Sequence, residues 1–360
     1  MFQHLRRLGL VTAAFAAALT VIVGLAVPAS AGYHFGFPGE DTQWRAVTYA
    51  GGPISSRSTP GEARDNHGDI LHAWRGADND GIWISLNNGP AYQLPATSGG
   101  PGYAQTHAAP VVIWTDDGFR GNFRIFHTGT DGHLYQHRVQ LTTSYQLPAT
   151  LPFATKVPND ARTSDDLSVA AAALPNNSYM LGWNSQTNND IWTMYYDGGS
   201  SAFATPSVVP NATSYKAPAL AAQVNDGNAP WNQVVLAFTG TDNNVYMARQ
   251  RYGFGGWTNP QDVGWSRYAP SVTLSGTGYG AVAYVDLDNG LTTTRILRNG
   301  DSSEYYEENA YAWTGSAPLA VTNGSALYYV INGAGSSLSG VLWKFATDFG
   351  TLPTPPAPQW

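Results

Sequence analysis

The chain of 360 residues contains no cysteine, has a formal charge of −7, and only 12% of its residues are charged. Disulfides therefore cannot hold the fold. The clustered positive charge that nucleic-acid binding requires is missing, so nucleic acid is not an expected partner. The 39 glycines, 23 prolines and 12% aromatic residues are typical of a turn-rich β protein.

The first 31 residues predict a secretory signal peptide. The basic residues Arg6 and Arg7 precede an almost wholly apolar run from Leu8 to Val27, and Ala29-Ser-Ala31 is a small-residue cleavage site. No second apolar run approaches the length of a membrane span. We therefore expect a secreted, extracellular protein with no membrane attachment after cleavage, exported by either the general or the twin-arginine route.

A hairpin motif recurs through the rest of the chain. It is clearest in Phe126-His-Thr-Gly-Thr-Asp-Gly-His-Leu-Tyr-Gln-His-Arg138 and Phe238-Thr-Gly-Thr-Asp-Asn-Asn-Val-Tyr-Met-Ala-Arg249. Each copy has an apolar strand, a polar turn and a second strand that opens with an aliphatic and an aromatic residue, which predicts a β-hairpin. The weaker copies are Trp74–Trp83, Trp183–Trp192, Tyr284–Thr292 and Tyr329–Trp343.

Further strands are predicted on both sides of these hairpins. Short segments of small residues with an early proline precede most copies and suit the innermost strand of a blade, as at Ala109–Ile113 and Ala217–Ala221. Segments that combine aromatic residues with a proline follow the hairpins and are expected to form outer strands. These segments are Tyr92–Pro95, Tyr145–Pro148 and Trp257–Pro260.

An all-β repeat of about 50 residues predicts a propeller. We therefore expect one all-β domain over residues 32–350, a single β-propeller with six four-stranded blades, while five or seven blades remain possible. The segment Gln43–Tyr49 is expected to supply the last strand and so to close the propeller. Residues 351–360 are predicted to be a proline-rich C-terminal tail.

The repeats resemble those of the tachylectin/tectonin-like and fucose-binding lectin propellers, and those of secreted actinobacterial propellers. The Gly-Thr-Asp-Gly/Asn turn, the aromatic residue that follows it and the outer-strand tryptophan carry the resemblance, which implies a lectin-like protein. Fucose-binding propellers are expected to pair an arginine with a glutamate and a tryptophan in each site between blades. This chain departs from that pattern, because its glutamates are not repeated in phase: Glu40, Glu62, Glu304, Glu307 and Glu308.

Arginines recur three residues beyond the hairpin aromatic position. Three strand residues span about 10 Å, which places these arginines away from the turn and near the loops that join first and second strands. Arginine offers a fork of donors for sugar hydroxyls or a carboxylate, and aromatic rings offer a stacking surface. A structural role for the arginines, bridging blades, is the alternative. The predicted carbohydrate-binding residues are Arg138, Arg249, Arg295, Trp114, Trp231, Tyr135 and Tyr246.

Other polar clusters favour structural roles. The turn aspartates are expected to shape hairpins, and no calcium-binding loop, phosphate loop or nucleophile elbow occurs, so no metal, cofactor or catalytic residue is predicted. His127, His133 and His137 share a hairpin, but we expect His133 and His137 on opposite strand faces and hence no shared metal ion. The turn aspartates are Asp80, Asp131, Asp242 and Asp288.

We therefore predict a monomeric, non-catalytic, lectin-like propeller with shallow sites between its blades for a glycan or small sugar. Two alternatives remain. The first is a glycoside hydrolase, sialidase-like or of another propeller type, with one carboxylate pair at the axis. The second is a protein-interaction scaffold, which would expose a broad apolar patch on one rim.

Overall fold

The structure is a computed structural model that describes residues 45–348 apart from a set of short gaps. The predicted signal peptide, the proline-rich tail, Trp231 and Asp288 lie outside the described residues. The described segments contain no helix with the length and apolarity to span a membrane. The gaps are residues 47, 51, 98–101, 116–120, 224–232, 252–255, 276–278, 288–290, 299–300, 314–316, 324–325 and 336–337.

Three short strands precede the repeats, and the next three groups of strands form antiparallel sheets. The short strands are β1 (Arg45–Ala46), β2 (Thr48–Tyr49) and β3 (Gly52–Pro53). Sheet 1 contains β4 (Gly61–Arg64), β5 (Ile70–Arg75), β6 (Ile82–Leu86) and β7 (Ala91–Gln93). Sheet 2 contains β8 (Val111–Trp114), β9 (Asn122–Thr128), β10 (Leu134–Gln140) and β11 (Thr155–Lys156). Sheet 3 contains β12 (Ala170–Ala173), β13 (Tyr179–Asn184), β14 (Asp190–Asp197), β15 (Ala202–Phe203) and β16 (Ser207–Thr213). The spatial order of the strands follows the chain, except that β16 of sheet 3 pairs with β14.

The remaining described strands continue the same pattern. Sheet 4 contains β17 (Ala219–Gln223), β18 (Gln233–Thr239), β19 (Asn244–Arg251) and β20 (Gln261–Trp265). Sheet 5 contains β21 (Ser271–Leu274), β22 (Tyr279–Val285), β23 (Leu291–Arg298) and β24 (Asp301–Trp313). Sheet 6 contains β25 (Leu319–Asn323), β26 (Ala326–Gly335), β27 (Leu338–Asp348) and, at its outer edge, β1.

The first strands of the sheets contact one another in chain order, and β25 contacts β4, so these strands form a closed ring. The all-β class and the propeller architecture are thus confirmed. β1 pairs antiparallel with β27, placing Arg45 opposite Trp343 and Ala46 opposite Leu342. β1 therefore covers the outer edge of sheet 6, as the sequence predicts for the segment Gln43–Tyr49.

The second strands are buried on both faces, because each sheet packs between two others. Every residue of β9 and β18 is buried. Burial on both faces explains the apolar run Val234–Phe238 in β18, whereas β9 also buries polar residues, Arg124 among them. Separate apolar clusters fill the seams between sheets 1 and 2, 2 and 3, 3 and 4, and 4 and 5. The side chains of each second strand thus point alternately into two different seams.

The repeated motif residues hold the hairpins and connect the sheets. Asp131 and Asp242 each accept the backbone N–H of the residue two positions later, at 3.1 Å in both turns. The hydroxyls of Thr128 and Thr239 donate to backbone carbonyls in the loops that lead to the following sheet, at 2.6 and 2.7 Å. The predicted structural role of these two turn aspartates is confirmed.

In sheet 1 the turn role falls to a neighbouring residue. Asn79, not Asp80, accepts the backbone N–H two positions later, at 3.1 Å. Asp80 has a φ of 54° and instead accepts two hydrogen bonds from the Arg75 guanidinium, at 2.8 and 2.6 Å. Those hydrogen bonds hold the pKa of the Asp80 carboxyl below its usual value.

Candidate functional site

The predicted site residues of β10 lie on opposite faces of sheet 2. Arg138 points into the seam with sheet 3, on the same face as Leu134, which packs there. Tyr135, three residues away, stacks on His127 on the other face, with ring centroids 5.4 Å apart. The Tyr135 hydroxyl donates to Asp131 at 2.8 Å. The structure therefore does not bring Tyr135 and Arg138 into one site.

The same separation occurs in sheet 4. Tyr246 packs into the seam with sheet 3, and its hydroxyl donates to Asp242 at 2.7 Å. Arg249 lies on the opposite face, which is the face that packs against sheet 5. The hairpin tyrosines thus support their turns, whereas the arginines point into a different seam.

The other predicted residues are also apart from Arg138. Trp114 pairs with Phe123 and packs against the apolar cluster between sheets 1 and 2, so it faces away from sheet 3. Arg295 lies opposite Val282 in sheet 5, and its side chain is outside the described part of the chain. A site that joins Trp114 to Arg138 is therefore not present.

Arg138 belongs instead to a polar cluster in the seam between sheets 2 and 3, which we call the 2–3 seam cluster. Its Nε donates to Asn122 Oδ1 at 3.1 Å, and Asn122 Nδ2 donates to Asn177 Oδ1 at 3.1 Å. Asn177 also accepts a hydrogen bond from the Arg124 guanidinium at 3.2 Å. The cluster comprises Asn122, Arg124, Gln136 and Arg138 of sheet 2 with Asn177, Tyr179, Tyr196 and Phe203 of sheet 3.

Arg124 lies at the centre of this cluster. Its guanidinium carbon is 4.9 Å from the ring centroid of Tyr179 and 5.2 Å from that of Tyr196, within the range of a cation–π contact. Gln136 Oε1 accepts from Arg124 at 3.4 Å and from the Tyr179 hydroxyl at 2.9 Å. Burial raises the pKa of Tyr179 well above its usual value, so this hydroxyl stays protonated and donates.

The cluster runs from a buried base to an exposed end. Arg124 is 4% exposed, and Tyr179 is fully buried. Gln136 and Tyr196 are half-buried, and Arg138 is exposed. The outer end therefore offers amide and guanidinium groups beside a tyrosine ring, which together suit a ligand with hydroxyl groups and an apolar face.

Polar residues also lie in the seam between sheets 4 and 5. Gln223 and Gln233 are directly opposite each other, and both are buried. Neither side-chain amide makes a hydrogen bond to the described residues through its nitrogen or its oxygen. Arg249 lies on the same face of sheet 4, and its backbone exchanges hydrogen bonds with Thr258. This seam thus contains polar groups, and the buried Tyr284 of sheet 5 packs in its apolar cluster.

A cavity of about 350 Å³ lies inside the ring of first strands. Its described lining is mostly alanine, proline and valine, and its two charged residues are Glu62 and Arg64. Glu62 is 3.2 Å from His72 Nδ1. Since two carboxylates are needed for the usual glycosidase mechanism, the described lining does not supply the axial pair that the hydrolase alternative requires.

The histidines of the sheet 2 hairpin are not arranged as the sequence analysis expects. Positions four apart in a strand share a face, so His133 and His137 are on the same side, and the expectation of opposite faces is wrong. The His127 and His137 rings stack at 5.3 Å. Within the described residues, no group of three or more side chains of His, Asp or Glu is arranged to hold a metal ion.

Arg124 is not among the predicted site residues, although the sequence contains a signal for it. Arg124 is the one charged residue in the otherwise apolar stretch Phe123–Phe126. A charge in a strand buried on both faces requires compensation. The partners in sheet 3 could not be identified in this way, because they depend on how the two sheets pack.

No protein-family model and no curated protein matches the sequence. Solved structures match the fold at low identity. AofleA from Arthrobotrys oligospora has a TM-score of 0.59 and 10% identity, over 85% of this chain and 86% of its own. The SapL1 lectin, solved with alpha methyl fucoside, has a TM-score of 0.56 and 16% identity, over 82% of this chain and 97% of its own.

A third match is the Hadza microbial sialidase Hz136, with a TM-score of 0.57 and 11% identity over 80% of this chain. The match spans 65% of the sialidase, so about a third of that protein has no counterpart here. At these identities the likeness shows the fold alone. The expected propeller fold is confirmed by these matches, and the ligands and activities are properties of the matched proteins.

Proposed function

We propose that this chain is a secreted, monomeric, six-bladed propeller that binds a small sugar or glycan terminus without catalysis. The observation that carries the proposal is the 2–3 seam cluster, in which arginine, amide and tyrosine side chains from two sheets converge. Six sheets and a closed ring of first strands support the blade number. Secretion rests on the predicted signal peptide.

The chemistry of the cluster fits a sugar. The exposed Arg138 guanidinium and the Gln136 and Asn177 amides supply donors and acceptors for hydroxyl groups. The Tyr196 ring supplies an apolar surface on which the C–H face of a sugar ring can stack. Gln136, Arg138 and Tyr196 project from strands, and Asn177 projects from the turn between β12 and β13, where Arg124 and Asn122 donate to it. The strands are fixed by packing, so little conformational freedom is lost on binding.

The matched structures support the proposal of sugar binding through their shared fold. SapL1, a lectin with the same fold, was solved with a fucoside. The seam has an arginine, a glutamine and tyrosines, which is similar in kind to the arginine, glutamate and tryptophan expected in fucose-binding propellers. The glutamine in place of a glutamate is the main departure.

The test is a glycan-array screen of the chain from residue 32 onward, beside two matched arginine variants. Arg138→Ala removes the exposed guanidinium of the seam. Arg267→Ala removes an exposed arginine outside the seam, so it serves as the control. We expect selective glycan binding that is lost in Arg138→Ala and kept in Arg267→Ala. Folded protein that binds no glycan would contradict the proposal.

A further inference from the structure

We infer that the 2–3 seam cluster binds a negatively charged group, so that its preferred sugar carries a carboxylate, as a uronic acid does. The inference rests on the proposed carbohydrate binding and names the class of sugar. It starts from Arg124, a permanently charged side chain that is 4% exposed.

All the described partners of Arg124 are neutral. They are the oxygens of Gln136 and Asn177, at 3.4 and 3.2 Å, and the two tyrosine rings. Its Nε has no hydrogen-bond partner in the described segments. No ion pair joins Arg124 to a carboxylate among the described residues. The seam therefore contains a buried positive charge that the described part of the chain does not neutralise.

A buried charge of this kind is costly unless it is paired and hydrogen-bonded. The tyrosine faces and the two hydrogen bonds to uncharged amide oxygens offset only part of the cost. A ligand carboxylate would replace an uncharged acceptor with a charged one and form an ion pair with shorter hydrogen bonds. The seam thus gains more from an acidic sugar than from the neutral sugar of the same shape.

The neutral side chain of Gln136 leaves the net charge of the 2–3 seam cluster positive. Its carboxamide has nearly the shape of a carboxylate, and it already accepts from Arg124 and from the Tyr179 hydroxyl. A carboxylate at this position would receive the same two hydrogen bonds and would neutralise the guanidinium. The neutral amide leaves the positive charge available to a ligand.

A ligand can reach Arg124 from the exposed end of the cluster. Gln136, Asn177 and Tyr196 are half-buried, and Arg138 is exposed, so the acceptors of Arg124 form the outer end of the cluster. A carboxylate that enters beside Arg138 would meet Arg124 by displacing one of its two neutral acceptors. The hydrogen bond to Gln136, at 3.4 Å, is longer than the usual N–H···O range, and the one to Asn177, at 3.2 Å, lies at its upper limit, which favours this exchange.

The experiment measures affinity by titration calorimetry for sugars that differ only in oxidation at C6. The probes are methyl glucoside against methyl glucuronide, and methyl galactoside against methyl galacturonide. For the unmodified chain we expect the acid of the preferred pair to bind about tenfold more tightly than the neutral sugar. Gln136→Glu should remove or reverse this preference, because the added carboxylate neutralises Arg124 and repels an acidic sugar.

Arg124→Met should also abolish the preference, and Gln136→Glu keeps the test valid if that variant fails to fold. Arg267→Ala, outside the seam, should keep the full preference. Equal affinities for acid and neutral sugars in the unmodified chain would overturn the acidic-sugar inference and leave the proposed function standing. If neither kind of sugar binds, in calorimetry or on the array, the proposed function fails and the inference with it.

Discussion

The guanidinium carbon of Arg124 lies 4.9 Å from the centroid of the Tyr179 ring, across the seam between two propeller sheets. This contact joins a charged side chain on β9, the second strand of sheet 2, to an aromatic ring on β13, the second strand of sheet 3. A cation–π contact of this kind stabilises by about 0.5–2 kcal/mol. Desolvation of an ion costs several kcal/mol, so the contact alone does not account for a buried arginine.

Replacement of the charge should therefore not weaken the fold. We expect Arg124→Met to leave the free energy of unfolding within about 1 kcal/mol of the unmodified value, or to raise it, because an apolar side chain of similar length removes an uncompensated charge. Urea denaturation measures this. A fall of more than about 3 kcal/mol would show that the guanidinium ties the two sheets together.

Stability should fall as the pH falls from about 6.5 to 4. Burial lowers the pKa of His127 well below its usual value, and the neighbouring His137 lowers it further. Burial likewise lowers the pKa of His137, to about 4. Between pH 6.5 and 4 these two histidines bind protons in the unfolded chain but not in the folded chain. Their contribution to the free energy of unfolding is therefore complete above pH 6.5 and is lost as the pH falls.

Each such histidine should contribute about 1.4 kcal/mol per pH unit within the window. The measurement is a series of urea denaturations between pH 7.5 and 4.5. His137→Phe should make the dependence shallower, whatever it does to the stability at pH 7. A stability that does not change between pH 6.5 and 4.5 would contradict the buried, neutral state of these rings.

The turn of the sheet 4 hairpin should need an acceptor rather than a charge. Asp242 Oδ1 accepts the Asn244 N–H, and Asn79 makes the same bond in sheet 1. We expect Asp242→Asn to change the free energy of unfolding by less than about 0.5 kcal/mol and Asp242→Ala to lower it by about 1 kcal/mol. Equal effects of the two substitutions in urea denaturation would show that the side-chain oxygen is not what holds the turn.

The unpaired amides between sheets 4 and 5 should be a source of instability. Gln223 and Gln233 are buried opposite each other with no hydrogen bond to either amide. Replacing both with leucine should raise the free energy of unfolding by about 1–3 kcal/mol, since it removes unsatisfied polar groups. Gln136→Leu is the matched control and should lower it, because that amide has partners. Destabilisation by the double substitution would contradict this account.

Much of the fold could be predicted because its signals are local. The hairpins are marked by turn chemistry, and the innermost strands by small residues after a proline, as at Ala109–Ile113 before β8. The closing role of Gln43–Tyr49 follows from the need to cover a sheet edge. Each of these features depends on residues that are close in sequence.

The outer strands were harder to locate. In sheet 2 the expected outer strand was Tyr145–Pro148, but β11 is Thr155–Lys156, and Tyr145 has a φ of 57° in a turn. Both residues of β11 are exposed. An outer strand packs less than the others, so its sequence carries only a weak alternating pattern.

The candidate site was predicted only in part, for a geometric reason. The sequence pattern predicts Arg138 and Tyr135 in one binding site, but residues three apart in a strand point into different seams. The partners of Arg138 lie on the same face of sheet 2 as Arg138 and on sheet 3. The face on which each strand residue lies follows from the sequence, whereas the sheet 3 partners depend on how the two sheets pack.

The most direct test of the central claim is a crystal structure of the chain with its best-binding glycan. We predict density for a sugar at the outer end of the 2–3 seam cluster, in contact with Arg138 and Gln136 and stacked on Tyr196. Density for the sugar in the axial cavity, beside Glu62, with an empty seam, would contradict the account.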